Sequence, residues 1–166
     1  KIFSVKETTS PSIDIQISSN FERLLFDKIG DASVVANLMH ELKNTGSYQL
    51  DDQVVRDIKE DFCSFSVSED EVHSTIINTF NNLGIVIDPH TSVALASSEK
   101  CPNKYDLKVV LSTAHPAKFK DTVSSLLDND IFVTAKVKNI MNMKEDMIIL
   151  DNDVTMIKKL LADNIV

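Results

Sequence analysis

The chain has 166 residues, 43% of them hydrophobic and 25% charged, with a formal net charge of -8. That surplus of carboxylates excludes a surface built for the phosphate backbone of nucleic acid, which needs clustered Lys and Arg. No apolar run reaches the length of a membrane span and no signal-peptide pattern opens the chain; its length suits one compact domain or part of a larger protein.

Residues 1–19 contain two β-rich pieces, 2–5 and 13–17. The second alternates apolar and polar side chains, and Pro11 argues against helix there. Asn20 is placed to cap a helix whose apolar face is Phe21, Leu24, Leu25 and Ile29, ending at Gly30. Val35, Leu38, Met39 and Leu42 form the next face, ending at Gly46; Val54, Val55, Ile58 and Phe62 form another. Ser68 and Glu71 have the spacing of a capping box, and Val72, Ile76, Phe80 and Leu83 continue to Gly84. The sequence therefore predicts helices through most of residues 20–83. His40 and His73 stand apart without metal-ligand partners.

From residue 85 the pattern changes. Residues 85–87 are a β-branched run, expected as a buried strand, followed by Asp88-Pro89-His90-Thr91 and a helical stretch at 92–98. Asp88 either caps that helix or faces a crevice at the strand end. Residues 107–111 read as a second strand buried on both faces. Ser112 and Thr113 stand where it ends, and Pro116 suits the first turn of a helix carrying Phe119, Val123, Leu126 and Leu127. Further β-rich pieces are 131–137 and 147–150, and Asp153 is placed to cap a last helix with Val154, Ile157, Leu160 and Leu161 buried. The expected fold class is α/β, with parallel strands, packed helices and no independent domain split: a helical region at 20–83, then an α/β part at 85–166. In open α/β sheets ligands bind beyond the carboxyl ends of strands, so the turns at Asp88 and Thr113 are the favoured site.

Two counts limit what the chain can do alone. Each of its three glycines follows a helical pattern, so no glycine-rich loop is left to cradle a phosphate. Cys63 and Cys101 form no close-spaced pair and read as reduced thiols of a cytosolic protein. The chain also begins at Lys1 rather than methionine, which suggests a fragment.

Three stretches carry a resemblance: SPSIDIQISSNFERLLF at 10–26, DPHTSVALA at 88–96 and LSTAHPAKF at 111–119. In that order they closely resemble the C-terminal part of threonine synthase, a pyridoxal phosphate (PLP) enzyme of the tryptophan-synthase-like group. The resemblance runs along nearly the whole chain and weakens from about Asp130. It implies a cytoplasmic lyase that converts O-phosphohomoserine and water into threonine and phosphate. PLP would serve as its electron sink. The family's Schiff-base lysine and phosphate loop lie upstream of these motifs, so no catalytic lysine is expected here and Lys118 is not that residue. The fragment alone is expected to be inactive, with the upstream part of the same enzyme as its partner. The resemblance assigns Thr113 to the PLP ring nitrogen, with Ser112 as second choice and Asp88 beside the ring. It brings Asn20, Arg23, His115 and Lys118 forward as substrate contacts. For Asn20 and Arg23, spacing alone suggests a cap and a solvated charge. Other readings are a related PLP phospho-lyase with a different substrate, or a non-enzymatic α/β interaction module.

Overall fold

The structure, a computed structural model, describes residues 4–102, 105–128 and 132–164. It divides into two compact units, Lys1–Phe132 and Val133–Val166. In the first unit a short 3-10 turn, Pro11–Ile13, precedes α1 (Ser19–Ile29), α2 (Ala32–Thr45), α3 (Asp52–Asp61), α4 (Glu69–Leu83) and α5 (Pro89–Lys100). A second 3-10 turn, Pro116–Phe119, then runs into α6 (Lys120–Leu127). The second unit contains α7 (Ala135–Met141) and α8 (Val154–Asn164).

The helix boundaries follow from cap chemistry. Gly30, Gly46 and Gly84 end α1, α2 and α4 in the left-handed conformation, each giving its N–H to a carbonyl of the preceding turn. Ser68 and Glu71 form the expected capping box at α4. Asp153 Oδ1 accepts from the Thr155 and Met156 amides at the start of α8. Asn20 is not a cap: α1 begins one residue earlier, with Ser18 extended at the N-cap position, and Asn20 lies in the first turn. Pro11 does not exclude helix either. Its fixed φ fits the first position of the 3-10 turn.

The apolar stripes form the core. Leu25 and Val123 are fully buried, and Val72, Ile76 and Ile87 cluster beneath Val93, Leu95, Leu126 and Leu127. This packs α4 against α5 and α6. Burying each such aliphatic side chain contributes about 1.5–3 kcal/mol.

The expected parallel strands are absent among the described residues. Residues 85–87 and 107–111 belong to no sheet; nor do 13–17 and 147–150, for which the pattern allowed either a strand or an extended segment. Of the run at 131–137, Ile131 lies outside the described residues and the last three positions open α7, capped by Thr134. Residues 2 and 3 likewise lie outside them. The physical reason is that a strand needs a second backbone to complete its hydrogen bonds, and no backbone bond joins 85–87 to 107–111. Leu107, Val109 and Leu111 are 78%, 74% and 71% exposed, where a strand buried on both faces would have them covered. No described helix is long and apolar enough to cross a membrane.

Candidate functional site

The three motif stretches meet at the N-terminus of α5. Asp88 caps this helix and is fully buried, its carboxylate accepting from the His90 amide at 2.9 Å. The same carboxylate is 3.0 Å from His90 Nδ1 and takes a short hydrogen bond from the Thr91 hydroxyl. The Ser12 amide donates to His90 Nε2 at 3.1 Å. Since Nε2 accepts, the ring proton of a neutral imidazole must sit on Nδ1, where it points at Asp88. Phe119 packs on the same ring, with centroids 4.7 Å apart and planes tilted by 50°. The segment ahead of α1 gains a second anchor where the Thr9 amide donates to Glu69 Oε2 at 3.1 Å.

From this hub a chain of hydroxyls leads outward. Thr91 Oγ1 lies 3.2 Å from Ser112 Oγ. The one Thr91 proton is taken by the carboxylate, which can only accept, so Ser112 donates to Thr91. Ser112 is thereby fixed in direction. Thr113 makes no hydrogen bond to any described residue. Ser112, Thr113, Ala114, His115 and Pro116 together line an open cavity of about 660 Å³. Among the described residues its lining carries no carboxylate; Asp88 sits behind it with three donors facing its oxygens. The hydroxyls offered to the cavity are therefore neutral donors.

His115 caps the 3-10 turn, its Nδ1 accepting from the Ala117 amide at 3.1 Å. Nε2 of a neutral ring then carries the proton and remains a donor. Lys118 is exposed two residues beyond the cavity lining. Asn20 and Arg23 are not brought to this cavity. Both lie on α1 beside a separate one of about 810 Å³, with Phe21, Asp27 and Phe62. Among the described residues no cluster of His, Cys, Asp and Glu could hold a metal.

Sequence reasoning singled out Asp88, Ser112 and Thr113 but missed Ser12, His90 and Thr91. A signal existed for Thr91: it stands three residues after an N-cap Asp, within reach of its side chain. No sequence signal tied Ser12 to His90, 78 residues away.

Comparison with known proteins gives these contacts a context. The family model described as "Threonine synthase, C-terminal" matches residues 91–161. The chain is 30% identical to threonine synthase of Pseudomonas aeruginosa, over 93% of this chain and 34% of that protein. It is 38% identical to the Saccharomyces cerevisiae threonine synthase, over 74% of this chain and 27% of that protein. The crystal structure of PLP-bound threonine synthase from Brucella melitensis superposes with a TM-score of 0.83 at 34% identity, covering 98% of this chain and 35% of that one. The chain thus spans about a third of the length of these relatives.

Proposed function

This chain belongs to the threonine synthase family, and from that premise we propose that it is the C-terminal part of a PLP-dependent lyase making threonine and phosphate from O-phosphohomoserine and water. The reading is carried by the contrast between two neighbouring hydroxyls: Ser112 is held by Thr91, and Thr113, on the same cavity, makes no hydrogen bond to a described residue. Thr113 is the donor to the cofactor's ring nitrogen. Ser112 and Asp88 act behind it as positioning residues that fix the turn. When bound, PLP supplies an electron sink for the substrate. A neutral hydroxyl at the ring nitrogen leaves that nitrogen unprotonated, whereas a carboxylate would favour the protonated form.

The residues present fit the ring end of the cofactor and not its phosphate. Gly84 lines the cavity, but its amide is committed to the Phe80 carbonyl at 2.8 Å. As the resemblance implies, the phosphate cradle and the Schiff-base lysine belong to the remaining part of the enzyme. His115 offers an Nε2 donor and Lys118 a cation for an anionic substrate. Arg23 suits a carboxylate or phosphate by its planar fork, with Asn20 one turn earlier on the same helix. The exposed apolar side chains of 107–111 are where the upstream part packs, completing a parallel sheet that one strand cannot form alone. Two free cysteines fit a cytoplasmic, reducing setting.

The test uses the full-length enzyme. Thr113→Val removes the hydroxyl at nearly constant volume and leaves the ring nitrogen without a partner, a cost of about 1–3 kcal/mol. PLP should bind more weakly and turnover should fall by roughly ten- to a hundredfold. Thr113→Ser should keep most activity, and Ser112→Ala should do less harm than Thr113→Val. A folded Ser112→Ala variant more damaged than Thr113→Val would make Ser112 the ring partner instead.

A further inference from the structure

Far apart in sequence, Cys63 and Cys101 are neighbours in space. Cys63 follows the C-terminal end of α3 and Cys101 is the C-cap residue of α5. Their sulfurs are 3.8 Å apart across a separation of 38 residues. Nothing in their wide spacing along the chain signals this proximity, which the fold creates. Both are free thiols, Cys63 exposed and Cys101 half-buried.

Two lysines hold this arrangement. Lys100 Nζ donates to the Ser66 carbonyl at 2.6 Å and pairs with Glu71 at 2.7 Å, tying the segment after α3 to the end of α5. Lys108 Nζ donates to the Ser98 carbonyl at 2.8 Å from the other side. The thiols line an open cavity of about 630 Å³ whose walls include Phe62 and Phe65, and the exposed Cys63 gives a small oxidant access.

We propose that Cys63 and Cys101 are an oxidisable dithiol that closes reversibly to a disulfide, stapling the segment after α3 to the C-terminal end of α5. The sulfurs must approach by about 1.8 Å to reach bonding distance, a movement within the range of side-chain rotation. The oxidant class is a small-molecule disulfide. In the S–H···S contact, hydrogen bonding to Cys101 raises the Cys63 thiol above its ordinary value, with burial adding to the effect. The thiolate of one cysteine attacks the oxidant, forms a mixed disulfide and expels one thiolate. The other cysteine, on losing its proton, attacks the protein sulfur of that mixed disulfide and expels the second thiolate. The protein loses two electrons and two thiol protons; the oxidant gains both as two thiols. In a reducing cell such a bond forms transiently, when the thiol pool becomes oxidised.

The experiment treats the full-length protein with oxidised glutathione, blocks remaining thiols by alkylation and maps peptides by mass spectrometry. A peptide joining Cys63 to Cys101 is expected, exceeding the two separate glutathione adducts by at least about tenfold and lost on reduction. Cys63→Ser should stop at a glutathione adduct on Cys101. In denaturant the wild-type preference should collapse, because only the fold brings the thiols together. Recovery of both cysteines as separate adducts from the native protein overturns the proposal, as does an equal cross-link yield in denaturant.

Discussion

Replacing Asp88 by Ala distinguishes a helix cap from a hub. If the carboxylate only caps α5, its loss costs about 1 kcal/mol, the usual value for an Asp N-cap. The contacts require more. The His90 amide, the His90 Nδ1–H and the Thr91 hydroxyl would all lose their acceptor, on residues only 8% and 5% exposed. Each stranded buried donor costs about 1–3 kcal/mol. Allowing for relaxation and for non-additivity within one network, Asp88→Ala should cost about 3–5 kcal/mol. Thr91→Val removes one arm and should cost about 1–2 kcal/mol. A double-mutant cycle between the two, read from urea unfolding of the full-length protein by circular dichroism, should give a coupling of about 1–2 kcal/mol. A loss near 1 kcal/mol for Asp88→Ala, with coupling indistinguishable from zero, would refute the hub.

Two further predictions concern α4. Hydrogen bonding from Lys100, then from the Ser68 amide and hydroxyl, holds the Glu71 carboxyl down to about 2 from an ordinary 4.5. A depressed carboxyl stabilises the fold fully above its unfolded value and loses that contribution as pH falls toward the folded one. Glu71→Gln should therefore lower the melting temperature at neutral pH, and the gap to wild type should close as pH falls from about 4.5 to about 2; a gap that persists at the acid end would contradict this. Gly84 holds φ at +68° and a Cβ there would meet nothing within 4 Å. Gly84→Ala should thus cost about 1 kcal/mol from backbone conformation alone, measured by urea unfolding, and a neutral result would show that the cap relaxes.

The helices were legible because the signals that create them are local. Apolar residues at helical spacing, a Ser68–Glu71 box and glycines past the last turn all act within a few positions. The cap at Asn20 failed by two residues for the same reason: several hydroxyl and amide side chains compete over a short stretch. The strands failed for a different reason. Residues 107–111 have the composition of a buried strand, but composition specifies an environment and cannot supply the backbone that provides it. At the site, Asp88, Ser112 and Thr113 were visible from where they stand along the chain. His90 and Ser12 were not, because their bond joins a main-chain amide, which has no residue type, to a ring that looked like one more residue of the turn ahead of the helix.

Two main-chain amides tie the segment ahead of α1 to distant parts of the chain. The Thr9 amide reaches Glu69, 60 residues on, and the Ser12 amide reaches His90, 78 residues on, while Ile13, Ile15 and Ile17 remain largely exposed. During synthesis this segment leaves the ribosome well before either acceptor exists. It has to wait, extended and solvated, until α4 and then the start of α5 have emerged. Closing such long loops is slow relative to forming a helix. The first of the three motifs to be translated therefore cannot be seated before the second has emerged.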